Sequence, residues 1–195
     1  MMELKVRLTL EEEMLGMSPS NKDVYEAFIA SNAPDAKTRK EEIEEYGVEE
    51  VAEQGMTVFP RMEDGTPFIY DYQVKGMMKD TCGMLRRVKG TQSANLKAYK
   101  KEIDGLIFVE PRKIPIRLAG EMALCQRPLR AQTAQGERVA LACSETVPAG
   151  STIEFSIVML NDSTELVTEW LDYLRLRGLG QWRNSGKGRA SYEII

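Results

Sequence analysis

The chain contains no histidine. Imidazole is the usual general acid and base near neutral pH and a frequent metal ligand, so its absence excludes histidine-based catalysis and any histidine-held metal. Cysteine is nearly as scarce. Cys82, Cys125 and Cys143 are far apart and odd in number, which excludes a disulfide framework or a four-cysteine zinc site within one chain. All three read as small core residues. No stretch of roughly 18 apolar residues occurs, so no membrane span is expected. The opening Met1-Met2-Glu3-Leu4-Lys5-Val6-Arg7 alternates charge with hydrophobe where a signal peptide needs a continuous apolar run, and a cytoplasmic location is expected. Internal repeats and low-complexity tracts are also missing.

What is present suits a folded domain. The 195 residues are 43% hydrophobic and 29% charged, enough for one core, or for one domain with a sizeable insertion. The net charge of −4 hides a strong segregation. Glu11 to Glu53 holds thirteen acids against four bases, whereas Lys75 to Arg138 holds fourteen bases against six acids. Arg175 to Arg189 adds five bases and no acid. Segregation of this kind points to a polyanionic partner for the basic part, with ordinary solvated faces as the alternative.

Periodicity outlines an α+β chain. Leu4, Val6, Leu8 and Leu10 alternate with polar residues, which predicts a half-buried strand from Glu3 to Leu10 ending in a turn at 14–20. Residues 20–55 read as an acidic helical insertion with few apolar positions. Val74, Met77, Met78, Cys82 and Leu85 recur at three- and four-residue spacing, predicting a helix from Tyr72 to Arg87. Strands are predicted at Leu106–Val109 and Ile114–Leu118, a hairpin within 126–146, and a strand at Ser151–Leu160. A helix capped by Asp162 or Ser163 then runs to Arg177, and a last strand spans Arg189–Ile195. The order is compatible with a ferredoxin-like (RRM-like) β-α-β-β-α-β core.

The segment most suggestive of chemistry is Gly178-Leu179-Gly180-Gln181-Trp182-Arg183-Asn184-Ser185-Gly186-Lys187-Gly188-Arg189. Glycines let backbone amides approach an anion, cations neutralise phosphate, and Trp182 can stack on a base. It is neither a Walker loop nor a dinucleotide fingerprint. A surface loop, or a turn that buries Trp182, is the competing reading. Lys75 and Lys79 share one helix face with Arg86 near its end, and Arg127 and Arg130 flank the hairpin with Arg138. Tyr70 and Tyr72 can stack on bases or pack in the core.

The glycine-rich segment resembles the signature loop of the RAMP superfamily, the RNA-binding proteins of CRISPR systems. Three further stretches resemble its repeating type III backbone subunits. Asp64-Gly65-Thr66-Pro67-Phe68-Ile69-Tyr70 with Val74-Lys75-Gly76 and Arg86 is similar to their turn and Lys-Gly helix start. Ser144 to Ser151 with Ile153-Glu154-Phe155 resembles their "E-x-VPAG-x-x-F" strand entry, and Met14-Leu15-Gly16 their first-strand ending. The four stretches keep the family's order across nearly the whole chain. The chain also resembles small proteins of bacterial prophages.

The resemblance implies a single RAMP-like domain whose 126–146 hairpin is a thumb folded over RNA. It implies a non-catalytic protein that binds single-stranded RNA and associates with itself or with a CRISPR-type complex. The RNA contacts would be Lys75, Lys79, Arg86, Arg127, Arg130, Gly180, Trp182, Arg183, Gly186, Lys187, Gly188 and Arg189. No metal or cofactor is expected. Where the family has "IPGSS" this chain has Ile69-Tyr70-Asp71-Tyr72-Gln73, and the family's cleaving-aspartate sequence is missing. Two other readings stay open. One is a metal-dependent endoribonuclease using Asp23, Asp35 or Asp71. The other is a phage protein-interaction or assembly module without RNA. The acidic insertion can be a solvated appendage, a protein-contact surface or a nucleic-acid mimic. A carboxylate metal site from Glu11, Glu12, Glu13 and Asp23 has no specific spacing to support it.

Overall fold

A computed structural model describes residues 1–19, 56–133 and 136–195, with side chains over 1–18, 56–128 and 142–195. The predicted acidic insertion, Asp23 and Asp35 lie outside the described residues, as do the side chains of Arg130 and Arg138. The chain divides into two compact units: Met1–Met14, Pro60–Met122 and Val147–Ile195 form the first, Leu15–Phe59 and Ala123–Thr146 the second.

The first unit is a sheet with helices on one face. Its strands are β1 (Met2–Leu10), β5 (Phe68–Tyr70), β6 (Ile107–Glu110), β7 (Lys113–Arg117), β10 (Thr152–Met159) and β11 (Ala190–Ile194). They lie in the order β11-β1-β10-β7-β5, with β6 also paired to β10. The helices, numbered over the described residues, are α1 (Asp71–Leu85), α2 (Tyr99–Leu106) and α3 (Thr164–Arg177). β1, α1, β6, β10, α3 and β11 give the β-α-β-β-α-β succession of a ferredoxin-like core.

Alternation decides which side is covered. Val6, Leu8 and Leu10 on β1 are buried, as are Ile153, Phe155, Ile157 and Met159 on β10. Leu8 lies in register with Tyr192 of β11, and the Tyr192 hydroxyl donates to Asp172 of α3 at 2.9 Å. That face therefore meets the helices, whose buried stripe includes Val74, Met77, Met78, Trp170, Leu171 and Leu174. Each such side chain fully removed from water contributes about 1.5–3 kcal/mol. Burial and this bond to Asp172 raise the Tyr192 phenol to about 12. The intervening residues, Lys5, Arg7, Glu154, Ser156, Phe108 and Glu110, stand on the opposite, open face.

The second unit is built on the hairpin of β8 (Ala123–Thr133) and β9 (Gly136–Val147), paired antiparallel along its length. The hairpin is longer than the predicted 126–146. Instead of the turn predicted at 14–20, the chain forms the two-residue strands β2 (Met14–Leu15) and β3 (Ser18–Pro19). β2 flanks β9, and β3 joins it through β4 (Thr57–Val58), which runs parallel to β9. Gly16 is required here by space: a Cβ would stand 2.6 Å from the Val58 carbonyl carbon.

Three further details depart from the sequence expectation. Gln92–Asn95 is a 3-10 turn and Tyr99–Leu106 a helix, although their stretch of the sequence shows little apolar period. Cys82 and Cys143 are buried, but Cys125 is only half-buried on β8. The predicted Ser163 cap stands at the N-cap of α3, yet its hydroxyl donates to Asn161 at 2.8 Å rather than capping the helix. No helix among the described residues is long and apolar enough to cross a membrane.

Candidate nucleic-acid interface

The glycine-rich segment leaves α3 and is tied to the end of β1. Gly178 (φ +82°) and Gly188 (φ +71°) cross at close quarters. A Cβ on Gly188 would stand 1.8 Å from the Leu179 carbonyl oxygen, and one on Gly178 2.3 Å from that of Lys187. The Leu179 amide donates to Gly188 at 2.8 Å, and the Gly188 amide to Glu13 at 2.8 Å. Gly180 and Gly186 also take positive φ. Only glycine fits where backbone is this close to backbone.

Its cations, and those of the last turn of α3, are largely met by the chain's own carboxylates. Arg183 and Arg177 both reach Asp80 of α1, at 2.8 and 3.0 Å. Lys187 pairs with Glu13, and Arg175 with Glu11 at 3.4 Å. Arg189 is exposed and makes no ion pair among the described residues. What the loop does present is a ring. Trp182 is 40% exposed and held at φ +53°, an outlying conformation for a bulky residue.

The other predicted cations of α1 lie on its opposite flank, facing α2. Lys75 Nζ donates to the Asp104 carbonyl at 3.2 Å and lies 5.0 Å over the Phe108 ring. Partial burial lowers the pKa of its ammonium. Lys79 pairs with Asp104 at 2.5 Å, and the Arg86 guanidinium sits 5.0 Å over the Tyr99 ring. The structure thus groups Lys75, Lys79 and Arg86, and separately groups Gly180, Trp182, Arg183, Gly186, Lys187, Gly188 and Arg189. In the second unit Arg127 is buried and donates to Ser144 at 3.2 Å, so it is not the exposed cation the sequence suggested.

Beyond Arg86 the α2 flank continues into a stretch that sequence reasoning had not singled out. Arg86, Arg87, Lys89, Lys97, Lys100 and Lys101 are six bases with no intervening acid. All six are exposed and form no ion pair among the described residues. Their position is fixed from beneath. Glu169 of α3 accepts from the Gln92 and Ser93 amides at 2.7 and 3.1 Å and from the Ser93 hydroxyl at 2.5 Å. Ser93 in turn accepts from the buried Trp170 indole at 2.9 Å. The Thr91 hydroxyl donates to Leu85 at 2.9 Å and accepts from the Ala94 amide at 3.2 Å, closing the turn after α1.

At the other end of α1 an open concavity of about 760 Å³ is lined by Lys5, Asp71, Lys75, Phe108, Glu110 and Arg112, among others. Asp71, the described aspartate of the endonuclease reading, is bound to Arg112 at 2.7 Å. Arg112 also lies 5.7 and 5.5 Å from the rings of Tyr70 and Tyr72, which stack at 5.1 Å. Lys5, Phe108, Glu110 and Arg112 carried no individual signal, because strand pairing and the β6–β7 connection bring them together. No group of three metal-ligating side chains occurs among the described residues.

No protein-family model matches the chain, and no curated relative is found. Among solved structures, it superposes on a chain of a type III-B Cmr-β complex bound to cognate target RNA, with a TM-score of 0.54 and 13% identity. The fold is shared. The match covers 99% of this chain and 58% of that one, so the chain spans little more than half its neighbour's length. A chain of a type IV-B CRISPR complex aligns with a TM-score of 0.49 and 12% identity, over 100% of this chain and 90% of that one.

Proposed function

We propose that the protein is a non-catalytic, CRISPR-type module that binds single-stranded RNA and assembles with itself or in a complex along that strand. The phosphates would follow the α2 flank of α1. The observation that carries this reading is the acid-free run of six exposed bases from Arg86 to Lys101, on the flank that also holds Lys75 and Lys79. Unneutralised cations release condensed counterions when they meet phosphate, and that release supplies most sequence-independent affinity.

Gly76 adds support. It is exposed within α1 beside Lys75, and a Cβ there would meet nothing within 4 Å. A helix-interior glycine costs roughly 0.8–1.0 kcal/mol relative to alanine, and nothing among the described residues requires this one. Close approach of a ligand backbone would account for it. The glycine-rich loop would contribute the Trp182 ring rather than charge. The likeness to a chain of an RNA-bound complex agrees with this reading.

The test is fluorescence anisotropy of a labelled, unstructured 12-nucleotide RNA titrated with protein across a salt series. Binding with a steep salt dependence is expected, and Lys100→Ala with Lys101→Ala should flatten the log–log slope by about 0.7 for each phosphate left unneutralised. Incubation with and without magnesium should leave the RNA intact. Cleavage abolished by an aspartate substitution would establish the endoribonuclease instead. Absence of binding even at low salt, with oligomers visible by light scattering, would establish an assembly module.

A further inference from the structure

The open sheet face carries a row of three side chains whose order is set by register. Lys5 of β1 lies opposite Ser156 of β10, and Ser156 lies opposite Glu110 of β6. Neighbouring strands are roughly 4.8 Å apart, so Lys5 and Glu110 stand two strands apart on one face, on either side of Ser156. Lys5 and Glu110 are exposed and neither forms an ion pair among the described residues. Phe108, two residues before Glu110 on the same face of β6, is 40% exposed with Lys75 at its ring. All of these line the concavity.

Elsewhere on the open face charges are paired around Glu154. Arg7 is bound to Glu154 at 2.8 Å, and Arg117 reaches the same carboxylate at 3.4 Å. Glu110, like Glu3 on β1, is an exposed carboxylate that forms no ion pair among the described residues, and it alone stands beside an exposed ring in the concavity. On a surface that only tracked phosphate such a group would repel the ligand. An ionised carboxylate is an acceptor only. Beside a stacked base it suits the exocyclic amine of cytosine or adenine, or the donor edge of guanine. Uracil offers one N–H between two carbonyl oxygens, which a carboxylate opposes.

We infer that this concavity is a base-reading site on the RNA-binding surface, in which Phe108 stacks one base, Lys5 and Lys75 hold its flanking phosphates, and Glu110 selects bases that donate. The inference rests on the RNA-binding reading above and gives it a sequence preference.

The experiment compares labelled oligocytidylate and oligouridylate of equal length at neutral pH. The intact protein should bind the cytidylate about five- to tenfold more tightly. Glu110→Ala should bring the ratio close to one without weakening the uridylate, and Phe108→Ala should weaken both by roughly tenfold. Both positions are exposed, so the variants should fold, and circular dichroism checks that they do. A ratio unmoved by Glu110→Ala, or affinities unmoved by Phe108→Ala, overturns the inference while RNA binding stands. Loss of self-association in Phe108→Ala with RNA affinity unchanged makes the patch a protein contact and also overturns it. No binding of either oligomer at low salt removes the RNA reading itself.

Discussion

Arg183 donates to Asp80 at 2.8 Å across 103 residues of sequence, and Arg177 shares the same carboxylate oxygen. One aspartate on α1 therefore holds the end of α3 and the glycine-rich loop together. The three side chains are each about three-quarters withdrawn from solvent, so the pairs are screened less than surface ion pairs. Asp80→Ala should lower the unfolding free energy by about 2 kcal/mol in urea titrations with an unchanged slope. It should also free the loop, so acrylamide should quench Trp182 more strongly while Trp170, 1% exposed, stays protected.

Gly76 and Gly188 should respond in opposite directions to the same change. Gly76 has open space around it among the described residues, so Gly76→Ala should stabilise the fold by roughly 0.5–1 kcal/mol. If RNA approaches that turn of α1, the same variant should bind RNA several-fold more weakly. Gly188 has φ +71° and the Leu179 oxygen in the space a Cβ would need, so Gly188→Ala should be severely destabilising, by more than about 3 kcal/mol. Thermal unfolding and anisotropy measured on both variants separate folding from binding.

Trp182→Ala tests the loop's own contribution. The loop's cations, Arg189 apart, are occupied by Asp80 and Glu13. Affinity for single-stranded RNA should fall by the worth of one stacked base, about 1–3 kcal/mol, with the salt slope unchanged. A slope that changes with Trp182 would mean that the loop carries phosphate after all.

The open face predicts an acid dependence. The Arg7 hydrogen bond holds the Glu154 carboxyl below its ordinary 4.5, with Arg117 and Arg7 charge adding to it. A depressed carboxylate stabilises the fold fully above its unfolded pKa, and the contribution is lost as pH falls through the lower, folded value. The difference in Tm between the intact protein and Glu154→Gln should therefore be constant at neutral pH and shrink on acidification below about 4.5. A difference that grows on acidification contradicts the pairing.

Much of the fold was legible because its signals are local. β1 and β10 alternate residue by residue, and Val74, Met77, Met78 and Cys82 repeat at helical spacing, so these elements could be read within one or two residues. α2 buries only Ile103 and sits in a lysine-rich stretch, so its period was too faint. β2 and β3 have two residues each, fewer than any pattern needs. The site divides in the same way. Lys75 and Lys79 were visible as neighbours on one helix, whereas the row Lys5–Ser156–Glu110 exists only after three distant strands pair. Counting charge along the chain made Arg175 to Arg189 look like five bases awaiting an anion. Four of them were already answered by Glu11, Glu13 and Asp80, far away in sequence.

The most direct measurement is photo-crosslinking of a mixed cytidine and 4-thiouridine single-stranded RNA to the protein, with adducts located by peptide mass spectrometry. Adducts should fall on the peptides that carry Lys75, Tyr99 and Phe108, along the flank from the concavity to the basic run. Adducts confined to β8 and β9, or none at a protein concentration that saturates binding, would contradict an RNA path along α1.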